Sequence, residues 1–126
     1  EFDPTKIAKE IDPRIIIQKT GNPTQLVKSC EVLVMIDAST IILDAHLLKK
    51  PVISVLVKDS DYGVPSVLQN SCVMTDMDNF EVTLKRVLTD ETFKNELINK
   101  GTNYVNQYLV KQGEASKELL NLLNTL

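Results

Sequence analysis

The sequence is poor in the residues that carry the commonest site chemistries. Its 126 residues include two cysteines, one histidine and four glycines. Cys30 and Cys72 stand singly and far apart, so they make no metal motif, and buried reduced thiols are the expectation rather than a disulfide. His46 has no cysteine, serine or acid partner at a telling spacing, so packing explains it better than catalysis. Neither Gly-x-Gly-x-x-Gly nor Gly-x-x-x-x-Gly-Lys-Ser/Thr occurs. A dinucleotide fingerprint and a phosphate loop with a Mg-ligating serine therefore have no support. Positive charge is also short: 14 Lys and Arg against 17 Asp and Glu leave a net charge of −3. That balance argues against duplex nucleic acid as the main partner. It is compatible with one bound nucleotide, because backbone amides can hold phosphates. No apolar run approaches the roughly 20 residues of a membrane span; the longest, 32–36 and 51–57, are strand-sized. The N-terminus has no signal-like pattern, and the expected location is cytoplasmic. Internal repeats and low-complexity tracts are absent.

What is present is ordinary in amount and informative in order. Apolar residues make up 43% and charged residues 25% of the chain, the composition of one globular domain with a single core. The abrupt start Glu1-Phe2-Asp3 fits a piece cut from a longer protein. Asp3-Pro4 reads as an N-cap followed by a first-turn proline, opening a helix over 4–11 that Asp12-Pro13 breaks. Arg14–Thr20 holds Ile15-Ile16-Ile17, a β-branched run typical of a strand covered on both faces. After the Gly21-Asn22-Pro23 turn, a short helix over 24–29 presents Leu26 and Val27 inward. Strands over 31–36 and 51–57 bracket a helix over 39–49 that is apolar nearly all round, hence packed on more than one side. Pro65–Gln69 forms a helical turn, and 71–75 is a further short strand. Asp76 or Asp78 caps a helix through Leu88. Asp90 caps another from Glu91 to about Leu109, with Gly101 a candidate interruption. A last helix spans 115–123. Helices alternating with about four buried strands predict an α/β fold with right-handed parallel crossovers.

The turn Asp37-Ala38-Ser39-Thr40 falls where a strand hands over to a helix. In an open parallel sheet ligands bind at that carboxyl edge, and a helix N-terminus there offers unpaired N–H groups to a phosphate. Ser39 and Thr40 suit phosphate oxygens, and equally suit simple capping. Asp44, one turn later among Ile, Leu and Ala, must be paired, solvated or used, because burying a lone carboxylate is costly. It can face solvent, pair with Lys49 or Lys50, or accept two vicinal ribose hydroxyls. Asp59, Asp61 and Tyr62-Gly63 lie beyond a strand end and could touch a base or sugar. Asp59-Ser60-Asp61 lacks the further ligands of a calcium loop, so no metal is expected.

These residues carry a resemblance. Asp37-Ala-Ser-Thr-Ile-Ile-Leu-Asp44-Ala, followed by Leu-Leu-Lys-Lys-Pro-Val-Ile, resembles the C-terminal half of two-domain glycosyltransferases of the GT-B architecture. It is most similar to the CDP-glycerol glycerophosphotransferase group and to UDP-N-acetylglucosamine 2-epimerase. The Cys30-Glu-Val-Leu-Val approach and the Tyr108-Leu-x-x-Gln112-Gly113-x-Ala115-Ser116 tail are similar as well, so the likeness spans most of 18–123. It implies a Rossmann-like three-layer α/β/α domain that binds a nucleotide-diphospho-sugar or nucleotide-diphospho-glycerol donor. By that resemblance Ser39 and Thr40 match the diphosphate-contacting turn, with Asp37 and Ala38 beside them, and Asp44 matches the acid that contacts the ribose. The family often has glycine where this chain has Lys49. Leu43 stands where an epimerase has a second acid, which favours the transferase pattern. The resemblance implies no metal and no dedicated cofactor. It places the acceptor site and the catalytic base in an N-terminal domain absent from this sequence. The contrasting expectation is a stand-alone flavodoxin-like interaction or regulatory module that uses Asp37, Asp59 and Asp61.

Overall fold

A computed structural model describes residues 3–57, 65–109 and 113–125. Among them the chain runs α1 (Pro4–Ile11), α2 (Pro23–Ser29), β1 (Leu33–Ile36), α3 (Ile41–Leu47), β2 (Val52–Val55), α4 (Ser66–Ser71), β3 (Val73–Thr75), α5 (Phe80–Thr89), α6 (Glu91–Tyr108) and α7 (Ala115–Asn124). The fold is α/β, as the alternation of elements predicts. β1, β2 and β3 form one parallel sheet in the order β1-β2-β3, with Leu33 opposite Val52 and Ile53 opposite Val73.

Local chemistry sets most helix ends. Asp3 accepts the Thr5 N–H at 3.0 Å and Pro4 follows it, so α1 starts where the Asp-Pro pair places it. Asn22 repeats the device, accepting from Thr24 at 2.9 Å ahead of Pro23. Asp90 accepts from the Phe93 N–H at 3.0 Å and opens α6. α5 departs from expectation. Its N-cap is Asn79, and Asp76 acts earlier, its carboxylate taking both the backbone N–H and the side-chain amide of Asn79. Gly101 does not interrupt α6, which runs unbroken to Tyr108.

The two faces of the sheet are covered differently. Val27 of α2, Ile42 and Ala45 of α3, and Leu68 of α4 pack on Met35 and Val52 to form the larger core. On the other face Val87 of α5 and Leu97 of α6 cover Ile53 and Val55. α6 also packs along α3 and α4, tying the layers together. No residue of α7 is buried.

The sheet has three strands among the described residues, one fewer than expected. The β-branched run at 14–20 lies outside it, and Ile16 is 87% exposed. Local bonds hold both ends of this segment: the Arg14 guanidinium meets the Asp12 carboxylate, the Ile15 N–H donates to the Asp12 carbonyl, and the Gln18 side-chain amide donates to the Thr20 carbonyl. Cys72 is buried and Cys30 half-buried; both are free thiols, Cys30 less enclosed than expected.

Candidate functional site

β1 is followed by Asp37, whose backbone takes the left-handed conformation (φ 51°). That region disfavours side chains other than those of Gly, Asn and Asp. Three bonds hold it: its N–H donates to the Val55 carbonyl at 3.0 Å, its carbonyl accepts from the buried Ser54 hydroxyl at 2.8 Å, and its carboxylate accepts the Val57 N–H at 3.2 Å. Asp37 thus stitches the end of β1 to β2. It shapes the turn and is absent from the lining of the adjacent cavity.

Ala38, Ser39 and Thr40 follow at the carboxyl edge of the sheet, all exposed. Thr40 occupies the N-cap position of α3 in a helical conformation, and no side chain closes a capping bond there. The Ser39 and Thr40 carbonyls instead accept from the Ile42 and Leu43 N–H groups at 3.1 Å. Simple capping therefore does not account for these two hydroxyls. The three residues form one side of a cavity of about 290 Å³ completed by Ile42, Leu43, Val67 of α4 and Tyr104 of α6. Its wall is largely apolar, Ser39 and Thr40 contribute to it, and among the described residues no charged side chain lines it. A volume near 300 Å³ is at the small end for ligand cavities.

Asp44 points elsewhere. Its carboxylate accepts the Thr24 hydroxyl at 3.0 Å, locking α2 to α3, and it does not line the cavity. The possible ion pair with Lys49 or Lys50 is not made; the Lys50 ammonium donates to the Cys30 carbonyl at 2.7 Å. One carboxylate oxygen of Asp44 is used by Thr24, and the group is half-buried. Asp59, Asp61, Tyr62 and Gly63 lie outside the described residues. Among the described residues no three His, Cys, Asp or Glu side chains converge as a metal site.

Sequence reasoning missed three participants. Val67 and Tyr104 line the cavity, and Thr24 claims Asp44. The helix from Glu91 was legible in the sequence, but the place of Tyr104 in the cavity was not, because its partners there come from α3 and α4. One helical turn along α3 from Ile42, His46 is 2% exposed with neither ring nitrogen hydrogen-bonded. Burial pushes its pKa down to about 4, so the ring is neutral. It packs on Gly101 of α6, where an added Cβ would lie 2.7 Å from the His46 Cε1 and overlap the ring. Glycine at 101 is thus a close-approach residue that lets α6 press on α3 and brings Tyr104, three positions on, to the cavity.

α3 ends in a motif that gives Lys49 a role. The Lys50 N–H reaches the Ala45 carbonyl at 2.8 Å and the Lys49 N–H the His46 carbonyl at 3.1 Å, with Lys49 left-handed (φ 55°). This is the Schellman ending, in which glycine is the favoured residue at that position. No protein-family model, curated protein or solved structure matches this chain.

Proposed function

We propose that this chain is the donor-binding half of a transferase of the GT-B kind, taking a nucleotide-diphospho-sugar or nucleotide-diphospho-glycerol. The observation that carries the reading is the exposed turn Ala38-Ser39-Thr40, with hydroxyls uncommitted to capping, opening on the cavity beneath Tyr104. The apolar wall of Ile42, Leu43, Val67 and Tyr104 suits a base or sugar ring, and the hydroxyl rim with its backbone N–H groups suits phosphate oxygens. Asp44 acts through α2: holding Thr24, it positions the start of α3, and its second oxygen is the candidate acceptor for a ribose hydroxyl. Asp37 sets the turn. The reading includes a Rossmann-like sheet completed by a fourth strand, and a partner domain that supplies the acceptor site and the catalytic base. Binding without turnover is the expectation for this chain alone.

Amide NMR during titration with UDP, CDP and Mg²⁺ tests it. Shifts centred on residues 38–42 with UDP or CDP, independent of Mg²⁺, support the reading, and Asp44→Ala should then weaken binding by calorimetry. An unresponsive turn, or shifts around Asp37 with Mg²⁺ alone, would favour the interaction-module alternative. That alternative was read from Asp37, Asp59 and Asp61; the structure adds the exposed Leu119, Leu120, Leu122 and Leu123 of α7 as a feature that favours it.

A further inference from the structure

A second cavity shares no lining residue with the one at the 38–40 turn. It holds about 340 Å³ and is lined by Val73 and Met74 of β3 and by Phe93, Glu96, Leu97 and Lys100 of α6, with Cys72 beside them. β3 is the last strand of the sheet among the described residues. Its Thr75 carbonyl accepts the Leu56 N–H at 2.8 Å, on the β2 side. Strand alternation therefore turns the main-chain groups of Cys72 and Met74 to the outer edge. Lys100 meets that edge, its ammonium donating to the Cys72 carbonyl at 3.2 Å.

Unlike the first cavity, this one carries charge of both signs. Glu96 and Lys100 stand four positions apart on α6 with the acid nearer the N-terminus, the order in which two such side chains ordinarily pair. Here they do not pair. Lys100 is turned to the Cys72 carbonyl, and the Glu96 carboxylate makes no hydrogen bond or ion pair among the described residues. Nearby acids do find their cations: Lys94 meets Glu91 at 3.6 Å and Arg86 meets Asp90 at 3.7 Å. Cys72 adds no third charge, because burial pushes its thiol up to about 11 and it donates to the Leu68 carbonyl at 3.3 Å. The cavity thus holds an ammonium with donors to spare, a carboxylate without a partner, and an apolar wall of Val73, Phe93 and Leu97.

We propose that the cavity between β3 and α6 binds a small zwitterion with an apolar body, an α-amino acid with an apolar side chain. Its carboxylate meets the Lys100 ammonium, its ammonium meets the Glu96 carboxylate, and its side chain lies against Val73, Phe93 and Leu97. Helix geometry sets the match: residues four apart hold their Cβ atoms about 5–6 Å from each other, so one molecule carrying both charges on a single carbon can reach both groups. The volume sets the size, since a cavity this small suits one amino acid rather than a longer chain. Glu96 and Lys100 are exposed residues, where each charge contributes modestly, so binding is weak and depends on salt. The inference is independent of what the first cavity binds.

Amide NMR during titration of the chain with L-leucine, at constant ionic strength, tests this. The expected result is saturable shifts at residues 72–74 and 93–100, with residues 38–42 unmoved. Two analogues keep the apolar body and lack one charge each: 3-methylbutylamine has no carboxylate and 4-methylpentanoate no ammonium. Each should bind about fivefold more weakly than leucine. Glu96→Gln should lower leucine to the affinity of 4-methylpentanoate, and Lys100→Met to that of 3-methylbutylamine. The analogue comparison is made on the parent chain, so it decides the matter even where a variant fails to fold. No saturable shift at residues 72–74 and 93–100 up to the solubility of leucine overturns the proposal. An analogue that binds as tightly as leucine also overturns it, by showing that the charge it lacks is not read.

Discussion

Val34 and Ile53 stand opposite each other in adjacent strands, with side chains on the same face of the sheet. Ile53 is fully buried, whereas Val34 is 39% exposed. Val55 and Ile36 repeat the contrast one pair further along. Residue type does not explain it, since all four are β-branched and apolar. What differs is cover: Val87 of α5 and Leu97 of α6 pack on Ile53 and Val55, whereas Val34 and Ile36 stand outside that cluster. On the opposite face α2, α3 and α4 cover all three strands, and Met35 of β1 is buried there. Burial of a strand residue is thus decided by the helices that cross above it.

The largest expected effect tests that contrast directly. Ile53→Ala removes a fully enclosed side chain and should cost about 4 kcal/mol, whereas Val34→Ala should cost under about 1 kcal/mol. Urea denaturation of the two variants measures the difference; equal losses would mean that the open face is covered in solution.

A second, somewhat smaller effect concerns the closed face. His46 is neutral in the folded chain, with its pKa lowered from 6.5 to about 4 by burial. The unfolded chain therefore binds the extra proton first as pH falls. This contribution to stability is complete above pH 6.5 and declines progressively down to about pH 4, by about 3 kcal/mol in total. Denaturation curves across that range should show the slope, and His46→Leu should remove the part due to this group. A slope unchanged in His46→Leu would assign it to the carboxylates instead.

The smallest effect is a gain. Lys49→Gly relieves a left-handed backbone at the end of α3 and should stabilise the chain by about 1 kcal/mol. Thermal melting measures it, and no gain would indicate that the Lys49 side chain contributes contacts that offset the backbone strain.

Much of the fold was legible because its signals are local. Asp3-Pro4 and Asn22-Pro23 start helices through bonds spanning two residues, and Asp90 does the same across three. The apolar runs expected as strands over 31–36 and 51–57 hold β1 and β2, each shorter than expected. The same reasoning applied to 14–20 met a similar apolar signal without a partner strand, which residue type alone cannot reveal. The candidate site was legible to a similar depth. The 38–40 turn was located because a strand-to-helix junction has a sequence signature. The tasks of Asp37 and Asp44 were not legible, because each depends on a residue some twenty positions away: the Val57 N–H for Asp37 and the Thr24 hydroxyl for Asp44.

By itself the sequence determined the α/β class, the order of elements from α2 onward and the position of the turn, since periodicity, caps and turn residues act over a few bonds. Tertiary structure alone decided that Tyr104 faces Ser39 across a cavity, that Gly101 must be small because His46 lies on it, and that Val34 remains open while Ile53 is sealed. The reason is physical: local propensity chooses the conformation of a segment, whereas burial and site geometry arise from contacts between segments far apart along the chain.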